Sequence, residues 1–158
     1  MIRPGLLMPM ILSLALAAAP ALAQNTGFGN AQDTKLPVEV TSEQLSVDQK
    51  TGVATFTGKV VIVQGQMRLA ADRVTVTYAQ GDKRRISAMH AEGNVTMVSG
   101  EDAAESRAAD YDVESGNVVL TGDVLMTQTG NVVAGEKVVV NLATGTAQVT
   151  ATLGTISK

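Results

Sequence analysis

The chain has 158 residues, no cysteine and a formal net charge of −3. That length suggests one domain; the missing cysteine excludes a disulfide framework, a thiolate metal site and a thiol nucleophile; and the acidic balance argues against a nucleic-acid partner. Aromatics make up 3%, Trp is absent, and Val, Thr, Ala and Gly are plentiful, which favours strands and turns over helices.

In chain order, residues 1–23 read as a cleaved secretory signal. Arg3 gives a short positive start, Leu6 to Ala19 is an apolar run interrupted by Pro9, and Ala21-Leu22-Ala23 is an A-x-A cleavage site. The run is short for a bilayer span. Cleavage would leave Gln24 as the mature N-terminus and, with Arg3 gone, take the net charge from −3 to −4. Gln24 to Lys35 is polar, carries Gly27 and Gly29, and is expected to be a flexible leader. The ordered domain is expected over residues 36–158, enough for a single core.

From Leu36 the dominant signal is alternation with period two. Val38 and Val40 alternate with Glu39 and Thr41, and Leu45 and Val47 with Ser46 and Asp48. Val74, Val76 and Tyr78 alternate with Arg73, Thr75 and Thr77, and Tyr111 and Val113 with Asp110, Asp112 and Glu114. Such spacing puts apolar side chains on one face of a strand. Ala103 to Ala109 is Ala-rich, but it leads into the alternation at Asp110 and is read as strand or loop. Gly-containing turn signals recur at 49–52, 64–65, 80–82, 92–94, 115–117, 121–123, 129–131 and 143–145. The segments Gly58–Val63, Gly93–Val98 and Gly122–Thr127 repeat a Gly followed by an apolar strand, with starts 35 and 29 residues apart. Each is followed by a turn and a second strand. The pattern predicts stacked antiparallel β-hairpins in a solenoid-like roll with an edge strand at each end.

Several segments carry a resemblance. Pro37–Asp48 (PVEVTSEQLSVD), Ala54–Gly65 (ATFTGKVVIVQG), Ala71–Val76 (ADRVTV), Asn117–Asp123 (NVVLTGD) and Gly135–Val140 (GEKVVV) follow one another in an order that resembles the LptA/OstA-like periplasmic lipopolysaccharide-transport family. The resemblance runs from about Leu36 to Val149. It implies an all-β, open, twisted β-jelly roll in the periplasm, with lipid between two sheets. It also implies copies or relatives joined end to end, reaching from an inner-membrane LptC-like subunit to an outer-membrane LptD-like protein. The driving ATPase would be another protein, and no Walker loop or phosphate cradle appears here.

The physical need for such a carrier is plain. Each CH₂ exposed to water costs about 0.8 kcal/mol, so a dodecyl-length chain costs on the order of 10 kcal/mol. The inward apolar stripe comprises Val38, Val40, Phe56, Val60, Ile62, Met67, Leu69, Val74, Val76, Tyr78, Val95, Met97, Tyr111, Val113, Val138 and Val140. Taken alone it reads as an ordinary sandwich core. The resemblance makes these residues the expected lining for lipid A acyl chains, with Val38, Val40, Met97, Tyr111 and Val113 nearest the path. Met67, Met97 and Met126 offer an adaptable surface, or simply fill gaps. Edge strands invite pairing with another chain. Val38, Glu39, Val40 and Thr41 are the expected edge at one end. Ala147, Gln148, Val149 and Thr150, running on to Thr152, are the edge at the other. A structural β-solenoid that binds no lipid shares the repeat and the edges.

Other signals point away from chemistry. His90 is the only histidine, too few for a His-rich zinc site, and it reads as a strand-end or surface residue. Glu101, Asp102 and Glu105, and Asp110, Asp112 and Glu114, lack the EF-hand spacing and read as solvated faces. Lys83-Arg84-Arg85 reads as a solvated turn that has the chemistry to meet lipid phosphates. No enzyme activity, metal or cofactor is expected.

Overall fold

The computed structural model describes residues 24–157; the expected signal at 1–23 lies outside them. The described residues form ten strands: β1 (Gln24–Gly27), β2 (Glu39–Thr41), β3 (Gln44–Val47), β4 (Ala54–Gln64), β5 (Met67–Ala79), β6 (Asp82–Ser99), β7 (Asp102–Asp112), β8 (Asn117–Gln128), β9 (Asn131–Asn141) and β10 (Thr146–Ser157). No described residue is helical, and Ala103 to Ala109 lies within β7. The strands form one antiparallel sheet in the order β1-β10-β9-β8-β7-β6-β5-β4-β2, with β3 also on β4. The expected all-β roll of stacked hairpins is therefore what the chain adopts. A single sheet folded on itself replaces the two separate sheets, and the reason lies in the middle of each strand.

Pairing is interrupted for one to three residues in every neighbouring pair from β4 to β10, at Thr57/Val60, Ala70/Arg73, Glu92/Val95, Glu105/Ala108, Thr121/Val124 and Thr152/Gly154. These bulges line up across the sheet and bend β4 to β10 together, forming a spine. In β4, β6 and β8 the bend is a Gly followed by a polar residue. Gly58, Gly93 and Gly122 have φ of 82, 80 and 83°, and Lys59, Asn94 and Asp123 have φ of 45, 47 and 46°. Each polar residue pairs with a side chain of the strand or loop before it. Lys59 Nζ lies 3.6 Å from Glu43 Oε1, Asn94 Nδ2 donates to Asp72 Oδ2 at 2.7 Å, and Arg107 donates to Asp123. At Gly93 a Cβ would sit 2.6 Å from Asp72 Oδ2, so both the backbone angle and the space call for glycine.

The signals at 92–94 and 121–123 are thus bends inside β6 and β8, not turns between strands. A turn reverses the chain because its two flanks pair with each other. Here the flanks stay paired to neighbours on both sides, so the chain bends and runs on. The remaining signals, at 49–52, 64–65, 80–82, 115–117, 129–131 and 143–145, do fall between strands.

The spine divides the sheet into two leaves. We call the leaf ending at the turns 64–67, 99–102 and 128–131 the front leaf. The back leaf ends at 79–82, 112–117 and 141–146. Period two holds within each leaf. In β5, Met67, Leu69 and Ala71 face inward before the bend, and Val74 and Val76 after it.

The two ends of the sheet differ. At the β4 end, β2 pairs with Val61–Val63 of the front leaf and β3 with Ala54–Thr57 of the back leaf. Glu39, Val40 and Thr41 form the last strand of the order at this end, and Val38 precedes it. Leu45 and Val47 on β3 are 58% and 54% exposed because no described residue covers that edge. At the β10 end the expectation needs correcting. Gln24–Gly27 pairs with Thr146–Val149, so Ala147, Gln148 and Val149 are covered by the chain's own N-terminal strand, while Thr150 lies past the pairing. The segment read as a flexible leader has an ordered course, because Phe28 is fully buried in the core.

Candidate functional site

The inner faces of the two leaves enclose an apolar interior. Of the expected lining residues, Val60, Ile62, Met67, Leu69, Val74, Val76, Val95, Met97, Tyr111, Val138 and Val140 are buried there. Val38, Val40, Phe56, Tyr78 and Val113 are half-buried against that core. The alternation therefore places all sixteen on the inner side, but only the second group reaches the surface. Met126 is also buried.

Opposite the spine the leaves meet along a seam, and the strap from Phe28 to Pro37 runs within it. Its contacts alternate between the leaves. Phe28 N–H donates to Gly145 C=O at 3.0 Å and Gln32 N–H to Leu142 C=O at 3.0 Å, both on the back leaf. Gly29 N–H donates to Asp102 Oδ2 at 2.7 Å, Gln32 Nε2 to Gln64 C=O at 3.1 Å, and Gln66 N–H to Gln32 Oε1 at 3.0 Å, all on the front leaf. Gln64 is fully buried at the centre of the seam. Its Nε2 donates to Thr34 C=O at 2.8 Å and Leu36 C=O at 2.9 Å. Its Oε1 accepts from the Tyr111 hydroxyl of the back leaf, so one side chain ties both leaves to the strap. Burial pushes the Tyr111 hydroxyl up to about 12, with the Asp112 carboxylate adding to the rise and the Gln64 bond opposing it.

Past Thr34 the strap diverges and leaves a mouth. A cavity of about 520 Å³ lies between Thr34–Val38 and the back-leaf segments Arg84–Ser87 and Val113–Glu114. Leu36, Pro37, Val38, Ile86 and Val113 give it an apolar surface, and Lys35, Arg84, Arg85 and Glu114 bring charge. Arg84 and Arg85 of the basic run thus border the mouth, with exposed Arg84 3.9 Å from Asp82.

Sequence reasoning missed Phe28, Gln64 and Ile86. Phe28 is one of two phenylalanines in the chain and stands out in a polar stretch, a signal that was available. Gln64 looked like turn residue 64–65 because its partners come from a strap that pattern reading had set aside. His90 lies on the outer face of β6, exposed, with Nδ1 2.6 Å from Asp110 Oδ1 and Nε2 3.8 Å from Glu92 Oε2. Among the described residues no group of three His, Asp or Glu side chains is placed to hold a metal.

A family model described as LptA/(LptD N-terminal domain) LPS transport protein matches residues 39–146. The lipopolysaccharide export system protein LptA of Escherichia coli K12 is 30% identical over 132 residues, covering 80% of this chain and 71% of that protein. The lipopolysaccharide export system protein LptH of Pseudomonas aeruginosa is 27% identical over 133 residues, covering 81% and 76%. The crystal structure of LptH, described as the LptA homologous periplasmic component of the conserved lipopolysaccharide transport device of that organism, superposes with a TM-score of 0.62. It is 26% identical and covers 70% of this chain and 79% of that one.

Proposed function

Because the chain belongs to the family of LptA and the LptD N-terminal domain, LPS transport proteins, we propose that it is a periplasmic lipopolysaccharide carrier in Gram-negative outer-membrane biogenesis. Lipid A acyl chains enter between the leaves and are shielded there from water. The observation that carries this reading is the mouth, where an apolar floor of Val38, Ile86 and Val113 meets a rim of Lys35, Arg84 and Arg85. An acylated, phosphorylated lipid matches both parts. Its methylenes gain by leaving water, and its phosphates accept charge-assisted hydrogen bonds from guanidinium groups. The lining proposed from the sequence is retained, with Val38, Val40, Phe56, Tyr78 and Val113 as the first to meet lipid. Residues 1–23 are proposed as the cleaved signal that sends the chain to the periplasm.

The bridge is also proposed. The β4 end offers β2 and β3 to an LptC-like or LptD-like partner or to a second copy, joined by backbone hydrogen bonds. At the β10 end the length of strand left uncovered by the described residues lies beyond Val149. Replacing Leu45 and Val47 with Lys leaves the fold intact and abolishes concentration-dependent association measured by sedimentation; unchanged association would exclude this edge as the joint.

A photo-crosslinking amino acid at Val38, Val40 or Val113 in cells exporting lipopolysaccharide tests the carrier reading. Adducts form at these positions and not at Leu125, 38% exposed and pointing outward from β8. Lack of adducts at every inward position would favour the second reading, a structural β-solenoid without lipid. That alternative has its own support in how fully the chain's side chains fill the middle of the interior.

A further inference from the structure

We propose that the seam between the leaves is an acyl-chain subsite and that the strap, with Phe28 as its plug, is its resident occupant, displaced when lipid loads. The inference rests on the carrier reading above and adds where the next chain goes after the mouth and what it must evict.

The strap is held in a way suited to release. Phe28 is its only buried residue; from Gly29 to Pro37 every side chain is half-buried or exposed. The rest of its hold is hydrogen bonding to lips that water reaches once the strap lifts. Segments with few buried apolar contacts and solvent-reachable hydrogen bonds are the first to open. The seat beneath is polar where a permanent core is apolar. Gln64 and Ser99 are both fully buried there. Ser99 Oγ has no hydrogen-bond partner among the described residues. It is also crowded by the strap, since a Cβ on Gly29 would lie 2.2 Å from it. A buried hydroxyl without a partner penalises the closed state, and lifting the strap returns it to water.

The location is equally specific. The mouth is bounded on one side by Thr34–Val38, the downstream end of the strap. Phe28 is continuous with the same hydrophobic core that Val38 and Val113 pack against. A lipid chain moving inward from the mouth along the seam would therefore meet the strap next. The exchange favours lipid because hydrophobic gain follows buried area, and a chain of about a dozen methylenes buries more than one phenyl ring. The closed form then taxes affinity by the fraction of molecules whose strap is open.

Hydrogen–deuterium exchange of the mature chain with and without lipid A, paired with lipid A titrations of the wild type, Phe28→Ala and Gln32→Ala, tests this. With lipid A the Phe28 and Gln32 amides exchange about ten-fold or more faster while β5 and β8 gain protection, the signature of a population shift in the strap alone. Phe28→Ala binds lipid A about ten-fold tighter, because a weaker plug raises the open fraction, and Gln32→Ala shifts binding the same way by less. Should Phe28→Ala fail to fold, the wild-type exchange and Gln32→Ala decide. Lipid binding with the strap equally or more protected overturns the subsite but leaves the carrier reading standing, as does weaker binding by the folded variants. No lipid binding by any of the three proteins overturns the carrier reading itself.

Discussion

The spine and the seam lie on opposite sides of the same interior and are built on opposite principles. The spine is continuous backbone, and its Gly-polar bend is made three times with a side-chain partner each time. The seam is made once, by a segment that crosses it and holds on through hydrogen bonds and a single aromatic ring. A sheet folded this way has a side that bends and a side that can part. That difference ties the fold to the proposed carriage of lipid, since a carrier must admit cargo without losing its core.

Substitutions at the spine should therefore cost most. Gly93→Ala meets both a φ of 80° and the Asp72 side chain, whereas Gly81→Ala has the same φ of 80° with nothing within 4 Å. Urea unfolding should give about 3 kcal/mol of destabilisation for the first and about 1 kcal/mol for the second. Equal losses would mean that the bend is set by backbone angle alone.

At the seam, Tyr111→Phe leaves the Gln64 carbonyl oxygen without the hydroxyl that now serves it. A loss of about 1–3 kcal/mol is expected, together with faster amide exchange confined to residues 28–36. Exchange spread evenly over the sheet would show that the seam does not open separately.

The same hydroxyl gives the seam a pH dependence. Burial pushes the Tyr111 hydroxyl up to about 12, from the 10.0 usual for tyrosine, so the folded state holds its proton more tightly. The stabilisation is fully present below pH 10 and fades as pH rises toward 12, by roughly 2–3 kcal/mol in all. Denaturation midpoints should fall across that window in the wild type and less so in Tyr111→Phe; parallel curves would place the titration elsewhere. The smallest effect belongs to an exposed pair on the spine. Lys59→Ala removes a 3.6 Å contact to Glu43 between side chains 88% and 59% exposed, and a change below about 0.5 kcal/mol is expected. A larger loss would show that the pair, and not Gly58, holds that bend.

The sequence by itself determined the strands and their inner face. Alternation is a local property: once Val74, Val76 and Tyr78 share a side of β5, any sheet that buries one of them buries the others. The same holds for the glycines of the hairpin turns, whose backbone angles depend on a few adjacent residues. What only the tertiary structure decided were matters of partnership. Gly93-Asn94 has the composition of a turn, and it bends because β5 and β7 hold its flanks in place. Gln24–Gly27 looked like a loose leader, and it is a strand because Thr146–Val149 offered an edge more than a hundred residues away. Gln64 and Phe28 became central to the site for the same reason. Their neighbours are assembled only when the two leaves and the strap meet, and no local spacing encodes that meeting.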